Sequence, residues 1–122
     1  MKYMMLAYTN AEAWANMDVT SEEFKAVCDF YEDLGKELTE SGEFVSTEGL
    51  ADPSHTKTVR KVDGGPVATD GPFAEAKEVL VSFAIVDCES YDRAVEIAAR
   101  VVDAVGDTVE IRPIMAPDGL EM

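Results

Sequence analysis

The sequence predicts an α+β domain, and three observations carry that reading. Residues 3–8 are apolar without interruption and residues 79–86 are apolar but for Ser82, the pattern of strands covered on both faces. Two further stretches, opening near Thr20 and Ser90, repeat apolar residues at helical spacing behind a capping residue. Between them lie short β-branched segments divided by glycine and proline turns, which read as a hairpin region.

The first strand, residues 1–8, leads into a loop, NAEAWANMDV, that carries Trp14 and Met17. Thr20-Ser-Glu-Glu23 then has the form of a capping box ahead of Phe24, Val27, Cys28, Tyr31, Leu34 and Leu38, and Gly42 closes that helix. Residues 44–47 form a short strand, ended by Gly49 and an Asp52-Pro53 turn. A hairpin follows, with strands at 56–62 and 67–69 about the turn Asp63-Gly64-Gly65-Pro66. The third main strand is 79–86, and Ser90 caps a helix whose inner face is Ala94, Ile97, Ala98, Val101 and Val102, ended by Gly106. In the last strand, residues 108–115, Val109, Ile111, Pro113 and Met115 alternate with Thr108, Glu110 and Arg112. The tail APDGLEM is expected to be loose. This β-α-β-(hairpin)-β-α-β order is the ferredoxin-like split pattern in a single domain, residues 1–122.

In that topology the first and third main strands are central, and both helices sit on one face of the sheet. The other face then carries apolar side chains with nothing over them, a patch rare on a soluble monomer. A second copy, sheet against sheet, is the simplest cover, and a cleft in that interior is a place for a small-molecule ligand. The expected partner is therefore a second copy of the chain, forming a homodimer.

The charge balance, 25 acidic against 10 basic residues and a net charge of −15, repels phosphate backbones and anionic lipid. It argues against nucleic acid and membrane partners. Lys57, Arg60, Lys61 and Lys77 are the one local concentration of base, around the hairpin. Cys28, placed on the apolar side of the first helix, and Cys88 read as reduced structural thiols. With no targeting segment at the start MKYMMLAYTN, the chain reads as cytoplasmic.

The most unusual local chemistry is Asp70-Gly71-Pro72-Phe73 within ATDGPFAEAKEVL. As a turn, Asp70 suits an Asx-type arrangement, Pro72 fixes its own φ and restricts Gly71, and Phe73 is free to enter the core or a cleft. As a site, Asp70 would face the cleft with Glu75 and Lys77 near Arg60, acting as a general base or holding a cation. His55, the sole histidine, is a second and weaker proton carrier, since histidine as a residue type titrates near neutral pH. Tyr8 and Glu48, at strand ends expected to converge on the hairpin's end of the sheet, are further candidates for lining a ligand site. So are Phe73 and Trp14, although Trp14 also suits packing beside the helix start.

The MKYMMLAY start, the Trp-bearing loop, SGEFVSTEGL, TVRKVDGG, VATDGPFAEAKE and EIRPIM, in that order, make the chain resemble DGPF-domain proteins of the YCII-related family over nearly its full length. The resemblance implies a dimeric α/β barrel of ferredoxin-like type. It implies no single reaction: most such proteins have none assigned, many are encoded beside alternative sigma factors, and some wider members look like lyases or isomerases of ring-derived acids. In one branch a proposed catalytic histidine lies on the first helix, about three turns before its closing glycine. Tyr31 stands near that place here, and the helix has no histidine. Ala76 likewise stands where similar proteins often have Thr.

No nucleophile elbow, metal constellation, glycine-rich phosphate loop or nucleotide fingerprint is legible, so no metal and no cofactor are expected. Two functions remain open. One is a cofactor-independent lyase or isomerase working by acid–base chemistry in a dimer cleft. The other is a non-catalytic ligand-binding or regulatory module using the same cleft, linked to transcription regulation. A bare interaction scaffold ranks below both.

Overall fold

The computed structural model describes residues 1–73 and 77–117. Its elements are β1 (Lys2–Asn10), α1 (Ala11–Ala15), α2 (Glu22–Ser41), β2 (Phe44–Gly49), β3 (Lys57–Val62), β4 (Gly65–Asp70), β5 (Glu78–Asp87), α3 (Tyr91–Val105) and β6 (Thr108–Pro113), with a single 3₁₀ turn at Pro53–His55 before β3. Strands β2, β5, β1 and β6 form one sheet in that spatial order, with every neighbouring pair antiparallel. The largely apolar strands β1 and β5 are the central pair, as the ferredoxin-like order requires. Strands β3 and β4 pair only with each other, as a separate two-stranded sheet.

Register fixes which side chains share a face, because directly opposed residues in an antiparallel pair point the same way. Met5 lies opposite Ala84 on β5 and Ile111 on β6, and Tyr3 lies opposite Val86 and Pro113. Of these, Tyr3, Met5, Val86 and Ile111 pack with the helices. The core gathers Tyr3, Met5, Val86 and Cys88 with Leu34 and Leu38 of α2 and Ala94, Ile97, Ala98 and Val101 of α3. The opposite parity, Met4 with Ile85 and Leu6 with Phe83, faces the other way. Those four side chains are half-buried, and none belongs to the buried core or packs against it.

Several local expectations are corrected. The loop after β1 contains the short helix α1, because the Asn10 side chain accepts from the Ala13 N–H and caps it. The cap of α2 is Ser21, whose hydroxyl accepts from the Phe24 N–H, while the Thr20 hydroxyl donates to Asp18. Cys28 and Tyr31 are exposed rather than inward. The inner line of α2 runs through Phe30, Leu34 and Leu38, and a residue two positions from Phe30 is rotated about 200° away from it. Gly42 and Gly106 end the two long helices as expected. No helix among the described residues is long and apolar enough to cross a membrane.

Candidate functional site

Three strand ends meet at one end of the sheet: the C-terminal ends of β1 and β2 and the N-terminal end of β5, with the start of β6 beside them. Tyr8 is at the end of β1, opposite Leu80 and Thr108, and half-buried on the helix-free face. The Glu110 carboxylate, acting as hydrogen-bond acceptor for its hydroxyl, and partial burial push the Tyr8 phenol above its ordinary pKa. Glu48 on β2 lies opposite Phe83 on the same face and is exposed. Beside them the Thr108 hydroxyl donates to Glu78 at 3.3 Å. The helix-free face thus has an apolar floor, Met4, Leu6, Phe83 and Ile85, with a phenol and several carboxylates at one end.

Sequence reasoning named Tyr8 and Glu48 but passed over Glu110, which it placed among the polar residues left by the alternation of β6. The signal was there: with β6 beside β1, the polar parity of β6 shares a face with the even-numbered residues of β1. It also passed over Asp107, whose carboxyl is pushed above its ordinary pKa by burial, the Thr9 side chain opposing that shift. The Asp107 charge acts in turn on Tyr31, which is 39% exposed and whose phenol is pushed up to about 12, first by the partial burial that remains and then by that charge. Tyr31, near the place of the branch's helix histidine, is therefore held protonated.

The other candidates lie on the hairpin or at its root. Asp70 ends β4, and its carboxylate accepts from Lys57 Nζ at 2.7 Å. The side chains of Lys57 and Asp70 are 70% and 87% exposed, so this pair contributes only about 0–1 kcal/mol. The expected Asx-type turn is replaced by this ion pair, since position 72 is proline and has no N–H to donate. Gly71 makes the turn: its φ is +92°, its N–H donates to the Thr56 carbonyl, and its carbonyl accepts from the Thr58 hydroxyl. A Cβ at Gly71 would meet nothing within 4 Å, so Gly71→Ala is expected to cost only the left-handed backbone strain. That is about 1–2 kcal/mol, to be read by thermal unfolding; an unchanged melting temperature would remove this role from the glycine.

The Arg60 guanidinium stands over the Phe73 ring at 5.3 Å from its centroid, and Phe73 is 75% exposed. His55 is exposed at the end of the 3₁₀ turn that Asp52 caps through the Ser54 N–H. Lys77 is exposed, and its backbone carbonyl accepts from the Ala11 N–H at 2.7 Å, tying the root of β5 to α1. Trp14 is half-buried in α1. Glu75, like Ala76, lies outside the described residues. Within one chain, then, Tyr8 and Glu48 share the open face, while Asp70, Arg60 and Phe73 share the hairpin and its base. Two shallow hollows elsewhere, between α2 and Phe44 and between α3 and β6, are lined by none of the candidates. Among the described residues, no three His, Cys, Asp or Glu side chains gather as a metal site.

The model of the YCII-related domain matches residues 1–117. The chain belongs to the YCII-related family. An uncharacterised protein of Rhizobium meliloti (strain 1021) is 30% identical over 119 residues, covering 93% of this chain and 92% of that one. The match spans both the open sheet face and the hairpin, so this YCII-related chain carries every element on which a site is built here.

Proposed function

We propose that this YCII-related chain works in the cytoplasm as a homodimer joined through the helix-free sheet face. In the enclosed cleft it would carry out cofactor-independent acid–base chemistry, of lyase or isomerase type, on a small organic molecule. One observation carries the reading: Met4, Leu6, Phe83 and Ile85 stand outside the buried core on one face, with Tyr8 and Glu110 at its end. An apolar face of this kind is a surface awaiting cover, and a two-fold dimer covers it with its own copy. The floor would hold a hydrocarbon framework while the carboxylate takes up a proton and the phenol donates one.

A second reading, a non-catalytic ligand-binding or regulatory module using the same cleft, is favoured by the surroundings of Asp70. Its carboxylate stands in water beside Lys57, whereas a general base gains from a dry, substrate-facing position. Screening small organic acids and lactones by thermal shift, and then by turnover, separates the two readings. For an enzyme, Tyr8→Phe and Glu110→Gln are each expected to lower turnover about 100-fold or more while leaving the protein folded. Ligands that raise the melting temperature but are never converted select the binding module. Unchanged rates and affinity in Asp70→Asn would leave Asp70 to the turn alone.

A further inference from the structure

We infer that the β3–β4 hairpin is an exchanged arm: in the dimer, each copy lays its hairpin on the acidic end of the other copy's open sheet face, and the partner subunit's Arg60 completes the cleft. This rests on the homodimer proposed above. A lone two-stranded hairpin is marginal in water, yet this one leaves Val59 66%, Val62 46% and Val67 44% exposed, and none of its residues is buried. Among the described residues, no hydrogen bond or ion pair joins 57–73 to the four-stranded sheet or its helices. The polar contacts of the arm are its own: Lys57 with Asp70, Thr69 with Thr58, and the Thr56–Gly71–Thr58 clasp at its base.

Charge decides where such an arm docks. Residues 57–73 carry Lys57, Arg60 and Lys61 against Asp63 and Asp70, a small positive balance in a chain of net charge −15. The end of the open face presents Glu48, Glu78 and Glu110. Shape agrees with charge. Register puts Arg60 opposite Val67 and Val62 opposite Gly65 on one side of the arm, and Arg60 also covers Phe73. That side therefore offers a guanidinium set among apolar groups, the complement of carboxylates set around Leu6 and Phe83. Arginine and aromatic side chains in this arrangement are what buried interface centres favour. The arm also accounts for the DGPF turn: Gly71 clasps its root, and Phe73 braces Arg60.

The test uses the full chain with Cys28→Ser, so that buried Cys88 is the remaining native thiol, plus Glu48→Cys and Val67→Cys in the same chain. With a short bis-maleimide at low protein concentration, an exchanged arm gives a covalent dimer on a denaturing gel. A monomer-sized species with both introduced thiols consumed means that the arm folds back on its own sheet, and overturns the exchange. A dimer intact by light scattering that yields neither product overturns it as well, while leaving the homodimer standing. A lone subunit by light scattering before any cross-linking overturns the homodimer itself. Independently, Arg60→Glu with Lys61→Glu is expected to raise the dimer dissociation constant about tenfold or more at low salt, with the difference shrinking as salt rises. An unchanged constant would remove the charge argument.

Discussion

Phe83→Glu is expected to yield a folded lone subunit, and Met5→Glu to yield no folded protein at all. The two residues sit on adjacent central strands, but register sends them to opposite faces. Met5 is 7% exposed and packs in the core, opposite Ala84 and Ile111. A carboxylate there is buried without a partner, at a cost of several kcal/mol. That consumes much of the about 5–15 kcal/mol by which a domain of this size is stable. Phe83 points to the helix-free face opposite Leu6 and Glu48. In a single chain a carboxylate at that position reaches water, so the fold survives; between two apposed sheets it would be buried beside Glu48 and would drive the copies apart. Circular dichroism and light scattering on the two variants check this together. A Phe83→Glu protein that stays a dimer would dismiss the sheet-to-sheet interface, and a well-folded Met5→Glu would mean that the register is wrong.

The contrast between Met5 and Phe83 marks what could be read from the sequence alone. The placing of residues 3–8 and 79–86 as central strands followed from their almost wholly apolar character, because only a strand flanked on both sides by other strands and covered on both faces gains from it. That same character hid the parity, since a strand greasy on both faces has no polar set to mark its outside. Helix ends were legible from Gly42, Ser90 and Gly106, whose chemistry is local. The inner face of α2 was legible at Leu34 and Leu38 but not before them, because its early turns carry apolar residues all round and only packing selects Phe30 over Cys28 and Tyr31. The candidate site divided along the same line. Tyr8 and Glu48 were found by arguing where strands end, whereas Glu110 required the register of β6 against β1, and Asp107, just before β6, gains its setting only from tertiary burial. The hairpin was legible as a hairpin, but its detachment from the main sheet is a tertiary fact that no local pattern encodes.

The second large effect concerns a pair that pattern reading never singled out. Glu43, between α2 and β2, accepts from Arg93 Nε at 2.8 Å and Arg93 Nη2 at 3.0 Å, and from the Ser41 hydroxyl at 2.7 Å. Side-chain exposures of 25% for Arg93 and 15% for Glu43 make this a largely sheltered, two-pronged bond that ties α3 to the strand-entry turn of β2. The Arg93 bond, followed by Ser41, holds the Glu43 carboxyl at about 2, against an ordinary value of 4.5. Cys88 beside it shifts the other way: burial first, then the Glu43 charge, pushes its thiol up. A carboxylate depressed in the folded state contributes stability that is complete above its unfolded value and is lost as pH falls through its folded one. Glu43→Gln is therefore expected to cost about 2–3 kcal/mol near neutral pH, with most of that deficit kept down to about pH 4.5. Between there and about pH 2 the gap to the parent protein should close, because the parent carboxylate protonates over that window while Arg93 stays charged. Denaturant titrations of both proteins across the acid range isolate this contribution, since the many other carboxylates titrate alike in each. A gap that keeps its neutral-pH size at pH 2 would mean that Glu43 acts through packing and not through its bond to Arg93.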